Sequence, residues 1–333
     1  MCGGCAALGL RRRWWGGTLR EITIFSGSAH PALATEICEH LGVPLRPSHV
    51  QRFSNDCLEV QLQANCREGD VFLIQPLVPP VQEHLVELLM LLDAARGASA
   101  ARVTAVVPFY AYARSDKKEK PRISLAGRLV ADLMATAGAN RVLTMTLHAP
   151  QVHGFFSVPT DHLNALSVLA PHFHGRDLAN TVVVTPDLGN AKPAEAFARL
   201  LGVPVAAGIK QRVADDRVVI TSIVGDVDGR DIIVMDDEIA NAGTLVELLD
   251  RLRERHVGRV AVACTHGLFT GRAIERLRRQ ADVAEIVTTN TVPIPEAKRL
   301  PNMTVLSIAP LLAEAIRRIH HGESVSELFA AHY

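Results

Sequence analysis

The chain repeats itself. Ala34–Pro44 reads ATEICEHLGVP and Ala194–Pro204 reads AEAFARLLGVP. The flanks keep the correspondence: ITIFSGSAHP from Ile22 faces VVVTPDLGNA from Val182, and Gln51–Arg52 faces Gln211–Arg212. Later, LLDAARGASAARVTAV from Leu91 faces LLDRLRERHVGRVAVA from Leu248, so the offset stays near 160 throughout. One match could be chance, but several in the same order require a duplicated unit. A length of 333 residues suits two such units, each long enough to bury its own core.

Each copy reads as strand followed by helix. Ile22–Phe25, Val71–Gln75, Val103–Pro108 and Val142–Leu147 are short apolar runs, and so are Val182–Thr185, Ile232–Met235, Val260–Cys264 and Ile286–Thr289. Continuous apolar runs suit strands covered on both faces of a parallel sheet. Between them lie helical patterns: Leu85, Leu88, Leu89 and Leu92 share one face, as do Leu245, Leu248, Leu249 and Leu252. Alternating β and α elements predict a parallel α/β sheet in each half. Ligands in such folds lie beyond the carboxyl ends of the strands, so the loops after strands are where chemistry is expected.

Composition narrows the class. Lys+Arg and Asp+Glu number 35 each, which speaks against a uniformly basic nucleic-acid binder. No apolar run reaches the ~18 residues of a membrane span. Six scattered cysteines fit reduced thiols in a cytoplasmic protein better than a disulfide framework. Residues 1–20 differ from the rest, with Cys2, Cys5, Arg11–Arg13 and Trp14–Trp15. A structural zinc site wants four ligands, and no second CxxC pair exists. These residues are expected to be a disordered extension.

The strongest chemical signal is DIIVMDDEIANAGT, Asp231–Thr244. A buried strand is predicted to end in Asp236 and Asp237, with a small-residue turn next and a helix from near Thr244. Backbone N–H groups and the positive end of the helix dipole cradle a phosphate. Thr244 adds a hydroxyl, and Gly243 lets the backbone approach closely. Paired carboxylates accept hydrogen bonds from vicinal sugar hydroxyls. Phosphate at one end and diol at the other describe a ribose 5-phosphate. The first copy has Gln75–Pro76 where the second has Asp236–Asp237. One sugar site is therefore expected, in the second half, with the first half serving another substrate.

From about Ile22 to Phe329 the chain resembles the ribose-phosphate pyrophosphokinase (PRPP synthetase) family. The resemblance rests on FSGSAHP, VQRFSN, VTAVVPFYAYARSDKK, AGRLVADL, VLTMTLHAPQVHGFFSVP, VTPDLGNAK, the Asp-Asp…Ala-Gly-Thr loop, THGLF and APLLAEAIRRIHHGESVSELF. It implies two tandem type I phosphoribosyltransferase-like domains, each a parallel-sheet α/β sandwich. The expected divisions are a nucleotide-side domain over 21–165, a sugar-side domain over 166–310, and a C-terminal helix and tail over 311–333 at a subunit interface. The implied reaction moves the β,γ-diphosphoryl group of ATP to the anomeric hydroxyl of ribose 5-phosphate.

Residue by residue, the resemblance puts the sugar on Asp236, Asp237, Ala240, Asn241, Ala242, Gly243 and Thr244. His148 matches a position contacting metal and ATP phosphate, and Asp187 the other metal-associated position. Mg²⁺ is the expected ion, since it bridges phosphate oxygens and keeps several waters. Lys210 and Arg212 match a catalytic Lys-x-Arg loop, where cations stabilise a transferring diphosphoryl group. Phe53, Asn55, Cys57, Arg114 and Ser115 match nucleotide positions; Phe53 either stacks on adenine or anchors its loop. His153 is expected to be structural. Arg67, Ser324, Ser326 and Phe329 match a regulatory region at subunit contacts. The family forms hexamers, so a homo-oligomer, hexameric or dimer-based, is implied, with no nucleic-acid or membrane partner.

The chain departs from the family at Ala240, where many members have aspartate, at Thr146, Ser115 and Cys57, and in its Lys-Gln-Arg loop sequence. These changes keep two alternatives in view: a catalytically weak paralogue that binds and modulates an active synthetase, and a phosphoribosyltransferase acting on a base.

Overall fold

The structure, a computed structural model, describes residues 21–214 and 217–328, without the side chains of 212–214, 217 and 218. The extension over 1–20, the Arg212 side chain and Phe329 lie outside the described residues.

In the first half the elements run β1 (Ile22–Ser26), α1 (Pro31–Leu41), β2 (Leu45–Arg46), a hairpin of β3 (Ser48–Arg52) and β4 (Leu58–Leu62), β5 (Asp70–Ile74), α2 (Val81–Gly97), β6 (Arg102–Val107), α3 (Ala126–Ala137), β7 (Arg141–Met145) and β8 (Thr160–Leu163). The second half runs α4 (Leu166–Phe173), β9 (Thr181–Thr185), α5 (Ala191–Leu201), β10 (Val205–Ala214), β11 (Arg217–Val224), β12 (Asp231–Ile239), α6 (Gly243–Arg253) and β13 (Val260–Gly267). It closes with α7 (Ala273–Arg278), β14 (Val283–Thr289), β15 (Met303–Leu306) and α8 (Ala309–His321).

The duplication is visible in the topology. The first sheet has the order β2-β1-β5-β6-β7-β8 and is parallel throughout. The second has the order β11-β10-β9-β12-β13-β14-β15, and its one antiparallel pair is β10–β11. Six strands correspond in sequence and in position. Only the segment after the second strand differs. In the first half it folds into a separate two-stranded hairpin; in the second it stays on the sheet edge as β10 and β11.

Strand residues alternate between two cores, as a pleat requires when both faces are covered. In the first sheet Ile24, Phe72 and Ile74 face one way, and Phe25, Val71 and Leu73 the other. The second set packs under α2 and α3, where Leu88 and Leu92 are buried and Leu85 and Leu89 lean on them. In the second sheet Val182, Ile232 and Val234 pack under α6, whose Leu245, Leu248, Leu249 and Leu252 are all buried. A small cluster of Val78, Phe109, Leu268 and Val292 joins the halves just past the strand ends, and the third large cluster joins them more broadly. It combines Ile24 and Phe72 with Val183, Ile233 and Met235, and with residues of α1, α4, α5 and α8. Polar bonds reinforce the return of α8 to the first sheet: Arg102 Nη2 donates to Ile319 O at 3.0 Å, and His320 Nδ1 lies 2.8 Å from Asp70 Oδ2. The two sheets are thereby joined along one seam.

Candidate active site

The acidic pair lies where the sheet opens. β12 runs through Asp236 and Asp237 to Ile239, two residues beyond the predicted end. It stays paired with β13 through Glu238–His266 and Ile239–Gly267, while its pairing with β9 stops at Val234–Val184. On the β9 side the chain turns away at Pro186–Asp187, and the side chain of Asn190 fills the gap. Its Nδ2 donates to Asp236 Oδ1 and Asp237 Oδ1, both at 2.8 Å. The Asp237 amide also donates to Asp236 Oδ1, at 2.9 Å.

The two acids are not equivalent. Burial, then the charge of Asp237, pushes the Asp236 carboxyl well above the ordinary range. Burial also works against ionised Asp237. Yet the bond and charge from His148, with bonds from Asp236 and Asn190, hold that carboxyl below its ordinary value. Asp237 is thus the anion of the pair. An anionic Asp237 accepts, so His148 Nδ1 donates to its Oδ2, at 2.7 Å. The other ring nitrogen, Nε2, is left for the cleft.

His148 comes from the first half, on the loop after β7. The predicted strand over Val142–Leu147 ends early, at Met145, because Thr146 turns into the left-handed region with φ 41°. A β-branched residue takes that conformation only when its surroundings impose it. Two histidines, one from each half, do so. His266 Nε2 donates to Thr146 O at 3.0 Å, and His162 Nε2 accepts from the Leu147 amide at 2.8 Å. Burial pushes both imidazoles down to about 4, so both are neutral at pH 7.

The remaining cations and acids border the same opening. Lys210 Nζ on β10 is 3.5 Å from Asp187 Oδ2, and Asp187 Oδ1 accepts from the Asn190 amide at 3.3 Å. Arg114 of the first half reaches Glu238 Oε1 at 3.3 Å. Burial pushes the Glu238 carboxyl up, against the pull of Arg114. The turn over 240–244 enters α6 with Ala242 left-handed at φ 60° and with the Gly243 amide donating to Asn241 Oδ1 at 2.9 Å. All these groups line one cleft of about 1330 Å³ between the halves.

Of the sequence-predicted residues, Asp187, Lys210, Asp236, Asp237, Ala240, Asn241, Ala242, Gly243, Thr244, Arg114 and His148 meet at this cleft. Among the described residues, Phe53, Asn55, Cys57, Ser115, Arg67, Ser324 and Ser326 do not line it. Phe53, Asn55 and Cys57 form the exposed turn of the β3–β4 hairpin, closed by the Phe53 amide on Cys57 O at 2.8 Å. Ser115 uses its hydroxyl to accept from the Ala126 amide, at 3.0 Å. Arg67 Nη1 reaches Ser99 Oγ at 3.4 Å, and Ser324 Oγ accepts from the Ser326 amide at 3.2 Å. His153 Nε2 donates to Thr160 O at 2.9 Å, in keeping with a structural role.

Sequence reasoning passed over Asn190, Glu238, His266 and Arg276. Asn190 and His266 stand inside the VTPDLGNAK and THGLF stretches already singled out, but their partners are residues far away in sequence. No group of three or more His, Cys, Asp or Glu side chains suited to a metal occurs among the described residues.

Comparison with known proteins places this geometry. Residues 22–138 match the family described as the N-terminal domain of ribose phosphate pyrophosphokinase, and 209–330 match the phosphoribosyl synthetase-associated domain. A Streptomyces coelicolor protein is 68% identical over 94% of this chain and 99% of its own length. The ribose-phosphate pyrophosphokinase of Deinococcus radiodurans is 50% identical over 92% of this chain and 98% of its own. The crystal structure of phosphoribosylpyrophosphate synthetase from Mycobacterium smegmatis superposes with a TM-score of 0.85. It is 40% identical and covers 91% of this chain and 100% of that one.

Proposed function

The chain belongs to the ribose-phosphate pyrophosphokinase family and is an enzyme of that class, and we propose that the cleft between its halves transfers the diphosphoryl group of ATP to ribose 5-phosphate. One observation carries this reading: a phosphate-type turn and two acids from the second sheet face His148 and Arg114 from the first across a single opening.

The sugar phosphate would dock on the amides of 240–244 and on Thr244. Its ring hydroxyls would meet Asp236 and Asp237. The C1 oxygen then attacks the β-phosphorus of ATP. The bridge bond between the α- and β-phosphoryl groups breaks, AMP leaves with the bridging oxygen, and the hydroxyl proton goes to solvent. Lys210 and Arg212 oppose the charge that builds on the transferring group. Lys210 is now held by Asp187, a contact a polyphosphate would compete for. His148 Nε2 and Asp187 are the groups that would hold Mg²⁺ beside the phosphates. When bound, the ion neutralises phosphate charge. Asp237 fixes the His148 ring for that task, as carboxylates behind metal-binding imidazoles do.

The exposed Phe53–Cys57 turn does not reach its own cleft, which supports a homo-oligomer in which it serves a neighbour's nucleotide. Arg67, Ser324 and Ser326, away from the cleft, suit an effector role at such contacts, and cytoplasmic residence suits the substrates. The test is AMP release from ATP that requires ribose 5-phosphate. Pure protein with Mg²⁺ and phosphate that releases none would sink the reading.

A further inference from the structure

We propose that Arg276 is a positioning residue for the phosphate end of the sugar site, a role that rests on the reading above. The turn over 240–244 is bonded to the segment that follows β13. The Thr270 amide donates to Ala240 O, and Arg276 Nη1 donates to Asn241 O, both at 2.8 Å. A peptide is planar and trans, so its carbonyl and its N–H point in opposite directions. Tying Asn241 O to Arg276 therefore turns the Ala242 N–H away from Arg276. That N–H has no protein acceptor among the described residues. Ala242 is left-handed at φ 60°, a conformation a non-glycine residue keeps only under constraint. Successive amides in such a turn form a concave nest for an anion. Arg276 supplies a constraint that keeps the nest in shape.

Arg276 also has charge to spare. Its neighbours Arg272 and Arg279 both pair with Glu275, at 2.8 and 2.5 Å. Arg276 makes no ion pair within 4.0 Å among the described residues, though its charge also acts on Glu275, and it is half-buried and lines the cleft. A guanidinium carries five N–H donors, and Asn241 occupies only part of that fork. The ligand class that fits is a phosphomonoester on the sugar, not a free sugar.

The experiment compares wild type, Arg276→Ala and Arg276→Lys in steady-state AMP formation, with ribose 5-phosphate and ribose as acceptors. Arg276→Ala should raise KM for ribose 5-phosphate by about tenfold or more and shrink the preference over ribose. KM for ATP should stay within about twofold. Arg276→Lys, which keeps charge but not the fork, should fall between. A variant with unchanged KM for ribose 5-phosphate, or with both KM values raised alike, overturns the proposal. Calorimetric titration of ribose 5-phosphate separates the two readings. If wild type makes no AMP, the proposed reaction fails, while the affinity lost or kept in Arg276→Ala still decides the role of Arg276.

Discussion

The two sheets share a strand order, yet their tips are finished in opposite ways. At the tip of β12, Asp236, Asp237 and the turn over 240–244 face an open cleft. At the matching tip of β5 the chain continues as Gln75–Pro76, and Gln75 is completely buried. Gln75 Oε1 accepts from the Ala29 amide at 3.1 Å, and Glu87 of α2 takes both the amide and the hydroxyl of Ser28, at 2.5 Å each. A Cβ on Gly27 would collide with both side chains. The first half thus fills its tip with its own carboxylate and amide, which also satisfy the turn after β1, whereas the turn over 240–244 of the second lines the cleft. Duplication supplied the scaffold twice, and the side chains at each tip decide which one is filled and which opens on the cleft.

The largest effect expected from this contrast lies at Lys210, whose counterpart in the first copy is Val50. Lys210→Ala should lower kcat by ~10²–10³, the usual loss when a charge-stabilising group is removed, and leave ribose 5-phosphate binding nearly intact. Rapid-quench AMP assays with calorimetry check it. Equal loss of binding would move Lys210 from the transition state to the ground state. Next is Asp237→Asn, which makes the second tip more like the amide-bearing first. It removes the anion that orients His148 and that, in the proposed reaction, would face the sugar, so kcat/KM for ribose 5-phosphate should drop roughly 10- to 100-fold. A variant with wild-type kcat/KM would leave the acids a merely structural pair.

The filled tip predicts the reverse pattern. Glu87→Ala removes the buried carboxylate that takes both donors of Ser28, which water can then reach, and should cost roughly 1 kcal/mol of stability. KM for ribose 5-phosphate should not change. Denaturant midpoints and steady-state kinetics on the same preparation check it. If the sugar KM moved while stability held, the first tip would be a second binding site and the contrast would fail.

Much of this was readable in the chain. The repeat offset predicted two copies, and apolar runs with leucine faces located the strands and helices. The Asp-Asp…Gly-Thr segment located a strand tip and turn that line the cleft. What stayed hidden depends on contacts between distant residues. Asn190 gains its role only because β9 stops short beside β12. His266 matters because it reaches a carbonyl 120 positions away, in the other half. Arg276 reads as one cation in a charged helix until its bond to Asn241 is seen. The β3–β4 hairpin, likewise, carries nucleotide-like residues, but its removal from the cleft could not be inferred from periodicity.

The smallest effect tests whether the two halves contribute alike to the His148 loop. His162 and His266 prop that loop from opposite halves, each neutral because burial has pushed its pKa from 6.5 to about 4. A depressed histidine pKa means that the unfolded chain binds the proton first. The stabilisation is therefore fully present above pH 6.5 and is lost as pH falls toward about 4. From pH 7.5 to 6 the loss should stay under ~1 kcal/mol per histidine, and it should steepen below that. His162→Gln keeps an acceptor for the Leu147 amide but has no proton to gain, so its stability should fall less with acid over this window. His266→Gln should flatten the curve by a similar amount, since its burial is at least as complete. Urea unfolding at a series of pH values measures both slopes. If only one variant flattens the curve, the loop is held from one side. The seam would then be a feature of that half, not a joint product of the duplication.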